Sequence, residues 1–332
     1  MPYQNPKTCR FYCDNNLFID AMGFETITGT PAIKRPYFNL YPGSNQSTFS
    51  VPSGNWAYHD NDTGGLFGGY GVPGLKFNYI FLLGHNIHSQ LVNYSSATFE
   101  YKFYGGSIGL ERSVNGENWS IPPYDGWTLH IYDALKPAHT YYLSAYDQYA
   151  PTISISSVSM GRYYDMPHSV DLNKLSMTRQ MDGVRSVRTK GGNDLTDHRY
   201  TKSPMWGNAG AWELHSGAST NQALSRPGRR VWDLNFSYLQ DSSVFPEISN
   251  LNWFETGYTE TTAGDKKLLD DDNFYSQVIH KTAGAGNLPF IFQPDNNDFT
   301  NFAICKFDMN SFKYSQQSPN LYRIFLKIRE IW

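Results

Sequence analysis

The stretch Arg230-Val-Trp-Asp-Leu-Asn-Phe-Ser-Tyr238 alternates large apolar side chains with smaller or polar ones. The even-numbered positions from Trp232 to Tyr238 carry the large side chains. Successive side chains of a strand point to opposite faces of a sheet, so this period of two predicts a strand whose aromatic face is turned inward.

Short runs of β-forming residues recur along the rest of the chain and are separated by Gly, Pro and Asn. Short strands at this spacing are typical of an antiparallel sandwich. Residues 10–13 and 17–19 are predicted to form one strand or two short ones. Residues 152–158 alternate so strictly that one wet and one dry face are expected. The other predicted strands are 77–83, 97–104, 128–132, 140–146, 184–188, 290–292, 302–307 and 322–329.

One helix is predicted, at about 271–283. Phe274, Val278 and Ile279 form its apolar stripe, and Lys281 lies in its last turn, where a cation is favoured. The acidic run Asp270–Asp272 stands at its start, where carboxylates accept hydrogen bonds from free backbone N–H groups. Asp270 or Asp271 is therefore the expected cap.

Composition excludes several classes of protein. The 332 residues are 16% aromatic and 40% hydrophobic, which is ample apolar surface for a packed core and excludes disorder. The net charge of -3 and the pI of about 6.3 do not suit a general nucleic-acid binder. No apolar run approaches the ~20 residues of a membrane span, and residues 1–7 lack the apolar run of a secretory signal, so synthesis in a cytoplasm is expected.

Two glycine-containing segments resemble nucleotide-binding loops only superficially. Residues 69–74 fit G-x-G-x-x-G, but a Gly-rich loop precedes them and a strand follows, whereas a dinucleotide site needs a strand before and a helix after. Residues 189–193, Thr-Lys-Gly-Gly-Asn, are predicted to form a turn. The sequence therefore predicts no cofactor.

Candidate metal ligands have simpler structural explanations. Cys9 and Cys13 lack further ligands at zinc spacing and are expected to be buried structural thiols. The acidic runs 270–272 and 295–298 do not match a calcium loop, and a helix cap and a turn explain them better. Three cysteines are also too few for a disulfide framework. We predict no metal ligand.

No catalytic residue is predicted. The sequence has no G-x-S-x-G, and no pair of carboxylates stands out. His85, within Leu83-Gly-His-Asn86, ends a buried strand and is expected to lock a turn. Exposed aromatic residues can stack on sugar rings, so a glycan site on the first sandwich is an alternative to core packing for four aromatic residues. These are Trp119, Tyr124, Trp127 and Tyr146.

Charge is distributed unevenly in the second half of the chain. Residues 171–230 hold ten Lys or Arg and five acids, a formal charge of +5, whereas residues 231–300 hold three Lys and eleven acids, a charge of -8. Two solvated faces would explain this distribution. The alternative is a pair of complementary edges through which subunits meet head to tail, with Arg229 and Arg230 as candidate contacts.

Five patches of the chain together resemble virion structural proteins of tailed bacteriophages. They are Arg-Phe-Tyr-Cys-Asp at 10–14, Leu-Gly-His-Asn at 83–86, Gly-Arg-Arg-Val-Trp-Asp-Leu-Asn-Phe-Ser-Tyr at 228–238, Leu-Pro-Phe-Ile-Phe-Gln-Pro-Asp at 288–295 and Leu-Lys-Ile-Arg-Glu-Ile-Trp at 326–332. The C-terminal half is similar to tail-tube-like and distal-tail (baseplate) proteins. The Leu-Gly-His-Asn region is similar to the galactose-binding-like jelly rolls carried on phage tail proteins.

The resemblance implies a mainly β chain in three parts. Residues 1–50 would be an N-terminal strand and connector joining the C-terminal β-domain, and 51–165 a galactose-binding-like antiparallel β-sandwich. Residues 166–332 would be a tail-tube-like β-barrel or sandwich with one flanking α-helix. Such proteins share no catalytic site, so none is carried over and no enzyme is expected.

The function implied is that of a structural subunit of a phage tail tip or baseplate. Such a subunit is made in the host bacterial cytoplasm and resides in the virion tail. Its partners would be further copies of itself in a ring and other phage tail or baseplate proteins, without sequence recognition of nucleic acid. The alternative is a tail adhesin or fibre-attachment protein that binds a host-surface carbohydrate.

Overall fold

The protein is mainly β, with a large antiparallel sheet and few helices. A computed structural model describes residues 7–21, 49–51, 56–60, 76–91, 98–107, 110–113, 124–137, 140–146, 153–181, 184–198, 205–206, 209–210, 212–214, 228–246, 271–282 and 288–331. The Gly-rich segment 61–74, most of the predicted connector within residues 1–50, and residues 247–270 lie outside these residues.

Twenty strands are assigned within these residues. In chain order they are β1 Arg10–Asp14, β2 Phe49–Val51, β3 Trp56–Asp60, β4 Lys76–His85, β5 Thr98–Ser107, β6 Leu110–Ser113, β7 Gly126–Pro137, β8 Thr140–Tyr146, β9 Ile153–Ile155, β10 Ser157–Asp165, β11 Ser176–Gln180, β12 Val184–Arg188, β13 Asp194–His198, β14 Met205–Trp206, β15 Ala209–Gly210, β16 Arg229–Gln240, β17 Phe290–Gln293, β18 Ala303–Phe307, β19 Tyr314–Ser318 and β20 Leu321–Glu330.

Ten strands form one antiparallel sheet, in the order β11-β16-β20-β18-β17-β1-β10-β4-β7, with β19 also paired to β20. Strand β1 lies in the middle, between β10 and β17. Segments 1–50, 51–165 and 166–332 therefore all contribute strands to the same sheet. The division of the chain into domains at residues 50 and 165 stays a prediction.

The remaining strands pair in smaller sheets. Strands β3, β8, β5 and β6 form a four-stranded sheet in that order, and β2 pairs with β9. Strand β12 pairs with β13, and β14 with β15.

One face of the large sheet covers the main hydrophobic core. Phe11 of β1 is fully buried there, with ring centroids of Phe274, Phe290 and Phe292 within 5.9 Å. Aromatic pairs at such separations add to the stability gained from apolar burial. The predicted helical stripe also packs into this core, since Phe274, Val278 and Ile279 are buried in the same cluster.

The other face of the sheet carries a second aromatic cluster. Tyr12, which follows Phe11 and so points the opposite way, packs edge-on against Tyr79 and Phe81 at 4.9 and 5.1 Å. Its hydroxyl donates a hydrogen bond to Gln293 Oε1 (2.8 Å). The middle of the sheet is thus covered on both faces.

The predicted inward face of residues 230–238 is confirmed for three of its four large side chains. Trp232, Leu234 and Phe236 are buried, but Tyr238 is 68% exposed, so its predicted inward position is wrong. The pairing of β16 with β20 shifts register between Phe236 and Leu239, and Tyr238 has a φ of +63°. This β-bulge turns Tyr238 outward and places Leu239 in the core.

The expected solvent-exposed face of residues 152–158 is wrong at Ser156, which is buried, whereas Ser154 is half-buried and Thr152 lies outside the described residues. The segment divides into β9 and β10 around Ser156, and the side chains of Ser156, Ser157 and Ser159 are buried. Ser156 Oγ donates to the Gly84 carbonyl (3.4 Å), and Ser159 Oγ hydrogen-bonds Tyr79 (3.3 Å). Strand β10 lies between β1 and β4 and is covered on both faces, so its serine side chains are buried.

Residues 17–19, predicted as a strand, belong to helix α1 (Asn15–Ala21). Asp14 causes the change, because its Oδ1 accepts the Leu17 N–H (2.9 Å) as a helix N-cap does. Two further short helices were not predicted. They are α2 (Ile87–Leu91) and α3 (Asp241–Val244), and a 3₁₀ turn spans Leu172–Lys174.

The predicted helix at 271–283 is present in a shorter form. It is a π-helix over Tyr275–His280 with Phe274 at its start. The side-chain cap is Asn273, whose Oδ1 accepts the Ser276 N–H (2.8 Å). Asp272 instead pairs with Arg162 at 2.9 Å. Asp270 lies outside the described residues.

Replacing Asn273 by Ala is expected to lower the free energy of unfolding by ~1 kcal/mol, because the Ser276 N–H loses its acceptor. Chemical denaturation measures this loss. Asp272→Ala is the matched control. The Asp272 side chain is 72% exposed, so its ion pair should contribute less than ~1 kcal/mol. A larger loss for Asp272→Ala than for Asn273→Ala would contradict the capping role of Asn273.

Within the described residues, no helix is long and apolar enough to cross a membrane.

Candidate assembly surface

The large sheet ends in a fully exposed strand. All five residues of β11 are exposed, and within the described residues β11 pairs only with β16. Met177 is 46% exposed. An exposed edge presents unpaired N–H and C=O groups that can pair with a strand of another chain. Among the described strands, β11 therefore presents an unpaired backbone edge to solvent.

A separate β-hairpin follows this edge. Strands β12 and β13 pair with each other in strict register, from Val184↔His198 to Arg188↔Asp194. The turn between them is held by the Thr189 hydroxyl, which accepts the Asn193 N–H (3.0 Å), and by Gly192 with a φ of +85°. The predicted turn at 189–193 is thus confirmed. Among the described residues, β12 and β13 join no other strand.

The hairpin places apolar side chains in solvent. Val187 and Leu195 lie directly opposite each other across the two strands and are 45% and 62% exposed. Leu172, Met177 and Met181 in the preceding segment are exposed as well, and we call the exposed side chains of residues 172–198 the 172–198 surface. Exposed apolar groups rimmed by charged ones mark interaction sites.

The rim of the 172–198 surface is basic. Lys174, Arg179, Arg185, Arg188 and Lys190 are all exposed. Arg188 forms a loose ion pair with Asp194 at 3.5 Å, with both side chains more than 60% exposed. Exposed charges of this kind affect association rate and register more than holding energy. Residues 247–270, which belong to the acidic segment 231–300, lie outside the described residues.

Arg230, a predicted contact residue, has a structural role instead. Its guanidinium binds the Glu330 carboxylate through two hydrogen bonds of 2.9 and 2.8 Å and also donates to Asn301 Oδ1 and the Phe302 carbonyl (both 2.6 Å). The Arg230 and Glu330 side chains are only 12% and 4% exposed. Arg230 therefore holds β16 to β20 and cannot be reversed in charge without harm to the fold.

His85 locks a turn, as predicted. It is buried, its Nδ1 accepts the Ile87 N–H (3.4 Å), and its Nε2 is 2.8 Å from Thr128 Oγ1. The neighbouring Asn86 accepts the Ser154 N–H through Oδ1 (2.7 Å). These bonds join β4 to β7 and β9, so the Leu-Gly-His-Asn motif connects strands.

The three cysteines are free and buried in the main core. Burial raises the pKa of Cys13 to about 12, while the positive charge of Lys281 acts in the opposite direction. Burial also raises the pKa values of Cys9 and Cys305. Such thiols stay protonated, and the expected structural role of Cys9 and Cys13 fits their positions.

The acidic run 295–298 forms a turn, as predicted. Asp295 accepts the Asn297 N–H through Oδ1 (2.9 Å), and Asp298 accepts the Thr300 N–H (2.9 Å). Within the described ranges, no group of three or more His, Cys, Asp or Glu side chains is arranged to hold a metal ion.

The described side chains among the candidate sugar-stacking aromatics, Tyr124 and Trp127, differ in their surroundings. Trp127 packs among Phe81, Trp212 and Phe302, with ring centroids 5.2 to 6.4 Å apart. Tyr124 is 46% exposed. Trp119 lies outside the described residues, as does the side chain of Tyr146.

A buried polar cluster was not predicted from the sequence. Lys281 Nζ donates to Asn15 Oδ1 (3.1 Å), and both residues are buried, at 2% and 0% exposure. Asp14, directly before Asn15, is 2% exposed. The sequence pattern places Lys281 only in the last turn of a helix. The available signal was the polar Asp14-Asn15 pair directly after a buried strand.

Comparison of the chain with protein-family models, with curated proteins and with solved structures finds no match. The functional argument therefore depends on the chain's own residues.

Proposed function

We propose that this protein is a structural subunit of a bacteriophage tail tip or baseplate, a distal-tail-like component that assembles with itself into a ring and with other virion proteins. In this proposal the strands around β4, β7 and β10 correspond to the galactose-binding-like jelly roll. The strands of the C-terminal half correspond to the tail-tube-like unit with its flanking helix.

The positions of the resembling patches support the proposal. Residues 10–14 are β1, residues 228–238 and 288–295 include most of β16 and all of β17, and residues 326–332 include the second half of β20. These four strands, with β18, are consecutive in the large sheet. Patches far apart in sequence thus belong to one continuous region, as expected if they reflect one common structural unit.

The 172–198 surface is the observation that carries the proposal. It combines an exposed edge strand with a hairpin whose apolar side chains lie in solvent. A subunit that offers this edge to a different surface of its neighbour makes a heterologous contact, and a heterologous contact closes into a ring when the rotation permits. Pairing at a strand edge supplies main-chain hydrogen bonds, and Leu195 and its neighbours supply apolar burial.

Leu195→Asp tests the proposal. We expect wild-type chain to form one closed oligomer of fixed stoichiometry in native mass spectrometry, and the variant to remain monomeric because a carboxylate cannot be buried unpaired at the contact. The melting temperature of the variant should match that of the wild type, since Leu195 is 62% exposed.

Phe299→Asp is the matched control. Phe299 is 52% exposed and lies between β17 and β18, so this variant should assemble as the wild type does. A wild-type chain that stays monomeric at every accessible concentration would contradict self-assembly. If the oligomer formed by Leu195→Asp is the same as that of the wild type, the 172–198 surface does not form the contact between subunits.

A further inference from the structure

The buried pair formed by Lys281 and Asn15 has the composition and geometry of a covalent cross-link precursor. Lys281 Nζ lies 3.1 Å from Asn15 Oδ1. Since a C=O bond is about 1.2 Å long, Nζ is within about 4.3 Å of the amide carbon Cγ. Asn15 Nδ2 donates to the Lys76 carbonyl (3.0 Å), which fixes the orientation of the amide.

The surroundings favour a reaction between these two groups. Asn15 and Lys281 are almost completely buried, so water does not compete as a nucleophile. The neutral amine is the nucleophilic form, so the Lys281 ammonium must first lose a proton to a nearby base. Two side chains held in contact by a folded core react as if at very high concentration.

A buried carboxyl group accompanies the pair. Asp14 is held by two backbone N–H groups, with Oδ1 accepting from Leu17 (2.9 Å) and Oδ2 from Met160 (3.2 Å). Asp14 directly precedes Asn15 and is 2% exposed, so a buried carboxyl group lies one residue from the amide that would react.

We propose that Lys281 and Asn15 join in an intramolecular isopeptide bond, with Asp14 as the proton carrier. This inference is independent of ring assembly.

The step balances without any co-reactant. The Lys281 ammonium gives one proton to the Asp14 carboxylate, and the neutral amine attacks Asn15 Cγ to form the Nζ–Cγ bond. Asp14 then protonates Nδ2, the Cγ–Nδ2 bond breaks, and the second proton of Nζ leaves with the departing nitrogen. The net change is an ammonium and a primary amide converted into a secondary amide and an ammonium ion.

The bond would tie two distant parts of the chain. Asn15 begins α1, directly after the central strand β1, and Lys281 follows the π-helix, 266 residues later in sequence. The link would close a covalent loop containing most of the chain, including β4, β10 and β16. In a protein that bears mechanical load, such a loop prevents β1 from being pulled out of the sheet.

Intact-mass spectrometry of purified full-length chain under denaturing conditions tests the proposal. We expect a mass lower than the sequence mass by one ammonia, and one proteolytic peptide in which the segments containing Asn15 and Lys281 are joined. Succinimide formation also removes ammonia from Asn, but it leaves the two peptides separate. Full mass with separate peptides after prolonged incubation of folded chain would overturn the proposal.

Three variants locate the chemistry. Lys281→Arg removes the nucleophile and should restore the full mass, whereas Lys327→Arg, a matched replacement at a lysine that pairs with Asp308, should keep the deficit. Asp14→Asn should slow formation of the bond in chain whose circular dichroism matches the wild type. A mass deficit that persists in Lys281→Arg would contradict the assignment even if that variant is less stable.

Discussion

Glu330→Ala is expected to lower the free energy of unfolding by ~3–5 kcal/mol, because removing one partner of a buried ion pair leaves the other charge buried without compensation. Arg230, whose side chain is 12% exposed in the intact pair, would lose two side-chain hydrogen bonds of 2.9 and 2.8 Å and keep those to Asn301 and Phe302. The backbone N–H of Arg230 would also lose its acceptor, Glu330 Oε2 (3.0 Å). Urea denaturation followed by circular dichroism measures the loss.

Asp308→Ala provides the control for this prediction. Asp308 pairs with Lys327 at 3.2 Å, but both side chains are 40% exposed. Asp308→Ala should therefore lower the free energy of unfolding by less than ~1 kcal/mol. Equal losses for Glu330→Ala and Asp308→Ala would show that the Arg230 pair contributes no more than a surface pair. Replacing both Arg230 and Glu330 by Met should restore part of the lost stability.

Gly161→Ala is the second change with a large predicted effect. A Cβ at Gly161 would lie 2.1 Å from the Cys13 carbonyl oxygen and 3.2 Å from its carbon, so backbone has to move. Gly161 is paired with Asp14, where β10 meets β1 in the middle of the sheet. We expect the free energy of unfolding to fall by more than ~4 kcal/mol, a loss that is typical of severe core or backbone disruption.

Gly191→Ala controls for the general effect of replacing glycine by alanine. Its added Cβ would meet nothing closer than Thr189 Oγ1 at 4.0 Å, so stability should change by less than ~0.5 kcal/mol. Thermal unfolding of both variants gives the comparison. A Gly161→Ala chain as stable as Gly191→Ala would mean that β1 does not approach β10 as closely as described.

Periodicity predicted the strands well where one face of a strand meets the core. Trp232, Leu234 and Phe236 follow the expected alternation because β16 has an uninterrupted register over this part. The pattern fails at Tyr238, because a bulge adds one residue without any change in the apolar spacing. It fails again at Ser156, which is expected in solvent but is buried, with its hydroxyl bonded to the Gly84 carbonyl.

The order of strands in the sheet could not be predicted from local pattern. Strand β1 pairs with residues about 150 positions later in β10 and about 280 later in β17. Alternation specifies which face of a strand is buried, but it carries no information on which strand lies beside it.

The roles of charged residues depended on the same long-range pairing. Arg229 and Arg230 look like part of a basic surface in sequence, but the partner of Arg230 is 100 residues away at Glu330. Within residues 171–230, the exposed basic side chains that the structure describes are Lys174 before β11, Arg179 on β11, and Arg185, Arg188 and Lys190 of the following hairpin. The contact between Asn15 and Lys281 was likewise invisible in sequence, since 266 residues separate them.

Electron microscopy of the purified full-length chain tests the proposed assembly through its geometry. We predict class averages of closed rings in which each subunit meets the next through residues 172–198, so that gold or a bulky tag attached at Lys190 blocks closure. Rings in which residues 172–198 of every copy face solvent, or a field of single subunits at all concentrations, would contradict the proposal that the exposed edge strand and its hairpin build the ring.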